Sequence, residues 1–420
     1  MQKNECDSLN QTRGDCANNP AFLMRLAHDA YPTNPLAVAL SGGADSMALL
    51  FAAQTVARAR NVQLTAFHIH HDLQKEADDW LVFVRDHCAA QQITFASKRL
   101  DSSSRRAAQS IEEWARQGRY AALTQLAHAH NISTIWLAQH QDDQIETHLL
   151  QKKRGAGAKG LAAMPHQIER ANVLWVRPWL DAAQSQIEAF INAHHIAHIN
   201  DPSNHDPRFA RNALRQRLKT QTPSERQQVL QDIASAQAQY AAQTQWAAPI
   251  LAAHLAPHQP EIGEHARLKL TCLQGQSDDA QKILLRAWLA QLNLRMPSQA
   301  ALNELLKQLH SPRADQHMCW QHADGWAITL FHQQIIVATL RPNGAWFLTP
   351  TTQQMMVENN WTAQPRTGGE RIRLAANRPH ISLQNAYLQA QIPPMLRAQL
   401  PLLYQNGVLR WAVGVGEHVV

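Results

Sequence analysis

The chain has 420 residues, of which 45% are hydrophobic and 17% are charged, so it carries enough apolar material for a sizeable core. At this length two or three domains are expected. Lys and Arg outnumber Asp and Glu by 39 to 33, and this mild positive charge permits a polyanionic partner without requiring one.

The cysteines argue against several kinds of site. They are scattered and form no C-x-x-C pair, which argues against a cysteine zinc site, an iron–sulfur cluster and a disulfide framework and fits a reducing cytosol. No apolar stretch is long enough to cross a bilayer, so we expect a soluble, cytoplasmic protein without a membrane partner. The five cysteines are Cys6, Cys16, Cys88, Cys272 and Cys319.

In chain order, residues 1–20 are polar and carry acids, which predicts a loose tail and not a signal peptide. Residues 36–180 alternate short β-like runs with helix-like stretches, whose apolar residues recur at three and four. This alternation predicts an α/β, Rossmann-like domain with a parallel, doubly wound sheet, to which we assign residues 21–220. The strand candidates are LAVAL (36–40), LTAFHIH (64–70), ITFASKRL (93–100), TIWLAQ (134–139) and WVRPW (175–179).

The remaining sequence predicts two further domains. Residues 221–344 contain long Gln- and Ala-rich segments with helical periodicity and predict a mainly helical domain, although the chain turns β-like after about residue 318. Residues 345–420 are punctuated by breaks that contain Pro and Gly and predict a small α+β domain.

The first strand candidate leads into SGGADS (41–46), which raises the question of an anion site. Glycines let phosphate oxygens approach main-chain N–H groups, serines add hydroxyl donors, and the following helix directs its positive end to the same place. Asp45 would repel phosphate unless Mg²⁺ bridges the two. The alternative is a plain Gly-rich turn. The candidate nucleotide-binding residues are Ser41, Gly42, Gly43, Ala44, Asp45 and Ser46, with Asp45 also the candidate metal ligand.

A second motif, QHQDDQIET (139–147), follows the strand candidate TIWLAQ and opens a helix. Asp143 and Glu146 share one helical face near its N-terminus. They could simply complement the helix dipole. Because they follow a strand of the same sheet, we favour a cation site for Mg²⁺ or an amine.

Basic residues accompany these motifs. Lys153 and Arg154 open a Gly-rich segment, and Arg116 lies in EEWARQGRY (112–120). Such residues are often solvated faces, but beside a candidate phosphate site they suggest nucleic acid. A further basic stripe consists of Arg208, Arg211 and Arg215.

His68 and His70 of FHIHH (67–71) share one strand face, a spacing compatible with metal ligation. The chain has 23 histidines and no cysteine partner near these two, so we do not predict a metal site there.

The ordered combination of motifs resembles the tRNA(Ile)-lysidine synthetases of the PP-loop ATP pyrophosphatase superfamily. The resemblance covers nearly the whole chain after about residue 20. The motifs are SGGADS, FHIHHDLQ, EEWARQGRY, QHQDDQIET, RGAGAKGLAAM, RPWL, DPSN, RNALR, RTGGERIRL, IPPMLR and LPLLY.

The resemblance implies a ligase that uses ATP and Mg²⁺ to adenylate the wobble cytidine of the CAU-anticodon isoleucine tRNA. Free L-lysine then displaces AMP, which forms lysidine and changes codon reading from AUG to AUA. It implies that Asp143 and Glu146 bind lysine and that Asp45, Asp143, Glu146 and Arg116 are catalytic. It further implies that His70 lines the nucleotide pocket. The implied tRNA contacts are Lys153, Arg154, Arg208, Arg211 and Arg215.

This chain departs from the family pattern at Gln139, Gln384 and Met395, where His, Lys and Trp are common. We interpret these changes as tuning. The alternatives are a tRNA-thiolating PP-loop enzyme, which the cysteine spacing disfavours, an amidotransferase-type synthetase, which lacks its N-terminal cysteine here, and a catalytically silent tRNA-binding protein. No obligate protein partner is evident.

Overall fold

The computed structural model describes residues 35–72, 76–101, 103, 110–200, 220–311, 318–341 and 345–419, together with positions 24, 214 and 218. The chain divides into two compact units between residues 237 and 238. The predicted tail at residues 1–20 and the predicted tRNA contacts Arg208, Arg211 and Arg215 lie outside the described residues.

The first unit contains a six-stranded sheet. Its strands are β1 (Leu36–Ala39), β2 (Leu64–His70), β3 (Thr94–Arg99), β4 (Thr134–Trp136), β5 (Gln167–Arg170) and β6 (Val173–Val176). The strand order is β3-β2-β1-β4-β6-β5. All neighbouring strands are parallel except β5, which pairs antiparallel with β6. The predicted parallel sheet is therefore confirmed.

Helices cover both faces of this sheet. Alternation along β1 sends Leu36 and Val38 into one hydrophobic cluster and Ala37 into another. The first cluster includes residues of α1, α2 and α6, and the second includes residues of α3, which makes the sheet doubly wound. The helices are α1 (Ala44–Arg60), α2 (Ala77–Ala90), α3 (Ile111–Ala129), α4 (Gln141–Lys153), α5 (Ala158–Leu161) and α6 (Gln184–His194).

The edge strand β5 was not predicted from the sequence. It forms a hairpin with β6 through Ala171 and Asn172, which have φ of 51° and 57°. Two consecutive positive φ values match the right-handed twist of a two-residue hairpin. Because the turn contains no glycine, the usual sequence signal for such a hairpin is missing.

The helix α7 (Pro223–His254) begins in the first unit and continues into the second. The second unit also contains a five-stranded sheet with the order β7-β8-β11-β10-β9. One face of this sheet shares a hydrophobic core with α8 and α9. These elements are β7 (Leu255–Ala256), β8 (Glu264–Lys269), α8 (Asp278–Gln291), α9 (Gln299–Leu309), β9 (Cys319–Gln321), β10 (Trp326–Phe331) and β11 (Gln334–Thr339).

The sequence predicted the helices of this segment but not β8. The strand carries Glu264 and Arg267, whose buried side chains form a two-point ion pair with Nε and Nη2 each 2.7 Å from a carboxylate oxygen. Two charged residues in six obscure the apolar pattern that would mark a buried strand.

The C-terminal residues form short strands and helices around a third cluster that includes Ile372, Tyr387 and Leu402. The predicted domain boundary near residue 345 stays a prediction. Among the helices of the described residues, none has the length and apolar character to span a bilayer. The C-terminal elements are α10 (Pro350–Glu358), β12 (Thr362–Gln364), β13 (Arg371–Ile372), β14 (Ile381–Ser382), α11 (Leu383–Gln389), α12 (Pro394–Arg397), β15 (Leu402–Gln405), β16 (Val408–Ala412) and β17 (Gly416–Glu417).

Candidate active site

The order of the first sheet marks one place for a ligand. Strands β2 and β3 extend the sheet from one side of β1, whereas β4 pairs with its other side. In open parallel sheets, ligands bind beyond the carboxyl ends of the strands at the point where the direction of winding reverses. That point lies between β1 and β4, so the loop at residues 41–46 and the motif at residues 139–147 adjoin the same crevice.

The loop after β1 is held by its own serines. The Ser46 hydroxyl donates to the carbonyl oxygen of Gly43 at 2.9 Å and lies 3.0 Å from the Ser41 hydroxyl. The Ser41 N–H also donates to Ser46 Oγ at 3.2 Å. Helix α1 begins directly after Gly43, and in the described part of the chain no side chain caps it. Its first N–H groups can therefore serve an anion.

Gly42 is required by both backbone and space. Its φ is +92°, a value that only glycine adopts readily, and a Cβ there would lie 2.5 Å from Ile199 Cδ1. The Ile199 N–H donates to the Gly42 carbonyl oxygen at 2.9 Å, so the segment before residue 200 braces the loop from outside.

His140 lies between the two halves of the crevice, of which the first is the loop at residues 41–46 and the second is the start of α4. Its Nε2 lies 3.7 Å from Asp45 Oδ2 and 3.7 Å from Asp143 Oδ2. Its Nδ1 accepts the N–H of Asp142 at 3.3 Å, so a neutral ring carries its proton on Nε2, on the side of the two carboxylates. The structure thus brings the predicted Asp45 and Asp143 together around a histidine that the sequence analysis did not single out.

Helix α4 positions the acids. Asp143 accepts the His140 N–H at 3.1 Å and closes a capping box at the helix start. Glu146 lies one turn further on and is 2% exposed, whereas the Asp143 side chain is 19% exposed. Asp143 therefore borders the opening and Glu146 lies deeper.

A series of side-chain contacts connects Gln139, through Arg177 and Tyr120, to Arg116. The buried Arg177, directly after β6, donates through Nη1 to the Pro165 carbonyl oxygen at 3.0 Å and through Nε to Gln139 Oε1. It also bonds the Tyr120 hydroxyl, over whose ring the Arg116 guanidinium carbon lies at 5.2 Å from the centroid. Arg116 is thereby connected to Gln139, the neighbour of His140.

Burial and neighbouring arginine charges shift the pKa values of Arg177 and Tyr120. Burial lowers the pKa of Arg177, and the Tyr120 phenol opposes that shift. Burial acts to raise the pKa of Tyr120, but the positive charges of Arg116 and Arg177, with that of Arg119, outweigh it and lower the pKa. Gln139 provides a neutral acceptor for the Arg177 guanidinium group.

The two strand histidines have structural contacts. His68 Nδ1 lies 2.8 Å from the carbonyl oxygen of Leu40, so it donates there and supports the residue before Ser41. Burial lowers the pKa of His68, which keeps its ring neutral. His70 Nδ1 accepts the Asp72 N–H at 3.1 Å, and its Nε2 lies 3.3 Å from Asp78 Oδ1. A role for His70 in the nucleotide pocket stays a prediction.

Lys153 and Arg154 lie at the other end of α4 from the acids. Ten residues separate Asp143 from Lys153, which corresponds to about 15 Å along a helix. Both basic side chains are exposed. The structure therefore does not bring these predicted tRNA contacts together with the carboxylates.

Sequence reasoning missed His140 and Arg177. Both lie in motifs that were noted, QHQDDQIET and RPWL, so a signal existed. It did not identify them because their importance comes from strand adjacency, which brings residues after β1, β4 and β6 to one edge.

Family models and a solved structure match parts of the chain. A family model described as a PP-loop domain matches residues 19–222. Models described as the TilS substrate binding domain and the TilS substrate C-terminal domain match residues 268–336 and 361–418. Among solved structures, the U34-tRNA thiolase NcsA from Methanococcus maripaludis is 12% identical with a TM-score of 0.43, covering 51% of this chain and 78% of its own.

Two curated relatives match almost end to end. The tRNA(Ile)-lysidine synthase of Ralstonia nicotianae is 38% identical over 421 residues, which cover 91% of this chain and 88% of the relative. The tRNA(Ile)-lysidine synthase of Nitrosomonas europaea is 30% identical over 434 residues, which cover 94% of this chain and 90% of the relative. The chain therefore belongs to the tRNA(Ile)-lysidine synthase family.

Proposed function

We propose that the chain joins the ε-amine of free lysine to carbon 2 of the wobble cytidine in the CAU-anticodon isoleucine tRNA. In this proposal ATP adenylates the cytidine oxygen with release of pyrophosphate, and the amine then displaces AMP. The product is lysidine, and codon reading changes from AUG to AUA. The observation that carries the proposal is the convergence of Asp45 and Asp143 on His140 at the β1–β4 crevice.

ATP fits the first half of the crevice. The loop at residues 41–46 offers backbone N–H groups and the exposed Ser41 hydroxyl, and the required Gly42 leaves no side chain on the backbone where it bends. Mg²⁺ prefers one or two carboxylates together with phosphate and water oxygens. Asp45, 41% exposed, fits that pattern, and within the described residues no group of three His, Cys, Asp or Glu side chains competes for the ion.

Lysine fits the second half. A carboxylate at the opening and another beneath it suit an ammonium group, which needs charged acceptors when it leaves water. Asp143, or Glu146 behind it, would take the proton that the amine must lose before it attacks. The new C–N bond then forms as the C–O bond to AMP breaks, and AMP leaves with the electron pair.

Exposed basic residues are the proposed contacts with the tRNA, and the excess of Lys and Arg over Asp and Glu in the chain supports this proposal. Lys153 and Arg154 are exposed at the end of α4, and Arg116 is connected to the crevice through Tyr120 and Arg177. Phosphate contacts release counterions, so tRNA binding should weaken as salt rises. The cytoplasmic location remains a prediction.

The test combines purified protein with the isoleucine tRNA, ATP and radiolabelled lysine. We expect label in the tRNA and one AMP for each lysine joined. Binding of the tRNA without lysine transfer would support a catalytically silent protein and refute the proposal. Methionine tRNA, which shares the CAU anticodon, is the control for substrate choice.

Thiolation is the competing PP-loop chemistry. Thiolation needs a reactive cysteine thiolate. Among the described residues, Cys88 and Cys272 are buried, and burial raises the pKa of each thiol to about 11, which leaves the half-buried Cys319 as the more accessible thiol. Replacing lysine with a sulfur donor in the same assay would reveal thiolation as incorporation of sulfur.

A further inference from the structure

Arg226, on helix α7, makes an ion pair with the N-terminal turn of the catalytic helix α4. Its Nη2 bonds Asp142 Oδ1, a residue 84 positions earlier in the chain. The two side chains are only 24% and 16% exposed, so this pair is better shielded from solvent than an ordinary surface ion pair. Neither residue has a role in the function proposed above.

The local sequence fixes where Arg226 lies. The Glu225 carboxylate accepts the Thr222 N–H at 2.7 Å, and the Glu225 N–H donates to the Thr222 hydroxyl at 3.2 Å. This capping box starts the helix and occupies the neighbouring acid. Hydrogen bonds from Thr222 lower the pKa of Glu225, which keeps it ionised in that role. Arg226 is consequently available to the carboxylate on α4.

Further contacts dock this part of α7 along α4. Ile233 packs with Ile145 in a small buried cluster, and Lys152 Nζ lies 3.3 Å from Asp232 Oδ2. The amide of Gln237 donates to the Ala162 carbonyl oxygen at 3.3 Å. Arg226 thus approaches Asp142 from a helix that is held in place by several independent contacts.

The Arg226–Asp142 ion pair lies next to two other carboxylates, those of Asp143 and Asp45. Asp142 neighbours Asp143, and Asp143 and Asp45 approach the same imidazole nitrogen. If ATP binds in this crevice, a third ionised carboxylate would repel its phosphates. An uncompensated Asp142 would also compete with Asp143 for the lysine ammonium group. Arg226 cancels that charge.

We propose that Arg226 is a positioning residue that neutralises Asp142 and directs its carboxylate away from the crevice, which leaves Asp143 to His140 and the amine. This inference rests on the proposed function. It assigns catalytic importance to the start of α7, outside every motif that the sequence analysis used.

The test measures the affinity of a non-hydrolysable ATP analogue and the KM for ATP in variants of the full chain. Arg226→Met should weaken analogue binding and raise the KM by about tenfold, because one like charge is unmasked near the phosphates. Arg226→Lys should stay within about twofold of the unchanged protein, since it keeps the charge. Asp232→Asn is the matched control, because it breaks an ion pair between the same two helices further from the crevice, and it should change neither value.

The double variant Arg226→Met with Asp142→Asn separates charge from packing. If Arg226 acts by neutralising Asp142, removing both charges restores analogue binding to within about twofold. If Arg226 only docks the helices, the double variant binds as weakly as Arg226→Met, and the inference is overturned. Equal binding by Arg226→Met and the unchanged protein also overturns it. Absence of lysine transfer by the unchanged protein refutes the proposed function instead, and the analogue measurement does not depend on transfer.

Discussion

Gly42 offers a quantitative test of how the phosphate loop is built. Gly42→Ala places a residue at φ +92° and a methyl group 2.5 Å from Ile199 Cδ1 and 3.1 Å from Val84 Cγ1. The backbone conformation costs about 1–2 kcal/mol for a residue with a side chain, and overpacking adds about 1–3 kcal/mol. We therefore expect the first unit to lose about 2–5 kcal/mol of unfolding free energy.

Two other glycines divide this cost into its parts. Gly155 has φ +65°, and among the described residues no atom lies within 4 Å of the place that an added methyl group would take, so Gly155→Ala should show the backbone cost alone. Gly43 has a negative φ, and its Cβ would lie 3.7 Å from Ser41 Oγ, so Gly43→Ala should cost least. Adding Ile199→Val to Gly42→Ala removes Cδ1 and should recover part of the packing cost but none of the backbone cost.

The assay is hydrogen exchange as a function of urea concentration, in peptides that cover residues 36–60 and 141–161. These peptides contain all three glycines and belong to the first unit, so the measurement does not average over both units. The expected order of destabilisation is Gly42→Ala, then Gly155→Ala, then Gly43→Ala. A Gly42→Ala protein as stable as Gly43→Ala would refute the account of the loop.

Three further predictions concern single side chains. His140→Ala should lower lysine transfer at least about tenfold while ATP-analogue binding persists, because Asp45 and Asp143 lose the imidazole that lies 3.7 Å from each of them; unchanged transfer would contradict this role. Burial, with a contribution from the charge of Arg119, lowers the pKa of His71 to about 4. The unfolded chain therefore binds more protons there, and stability should fall as pH drops from about 6.5 to 4, by up to about 3 kcal/mol, in urea titrations. A His71→Gln protein with the same pH dependence would contradict this assignment. Arg267→Met should cost about 3–5 kcal/mol of unfolding free energy by leaving the Glu264 carboxylate buried alone, and a much smaller loss in thermal or urea unfolding would refute that account.

The parallel sheet could be predicted because short β-like runs alternate with amphipathic helical stretches along residues 36–180. Leu64–His70 coincides with its predicted segment, and β1, β3 and β4 fall within theirs, whereas β6 begins two residues before its predicted segment and ends at Val176. Strand β5 escaped because its turn, Ala171 and Asn172, takes positive φ without a glycine. Strand β8 was not predicted because the charged residues of its buried ion pair, Glu264 and Arg267, interrupt the apolar pattern that would indicate a buried strand.

The site was predictable only where chemistry is local in sequence. The loop at residues 41–46 and the acids Asp143 and Glu146 could be proposed from spacing and from their place after strands, and their roles stay predictions. His140, Arg177 and Arg226 could not, because each acts through a contact with a residue far away in the chain. Arg226 and Asp142, for example, are 84 residues apart.

The most direct measurement is the mass of the anticodon nucleosides after the reaction. Isoleucine tRNA treated with the protein, ATP and lysine would be digested to nucleosides and analysed by mass spectrometry. Our account predicts a cytidine that has gained lysine with loss of water, and none with Asp45→Asn. Unmodified cytidine from the unchanged protein, or full modification by Asp45→Asn, would contradict it.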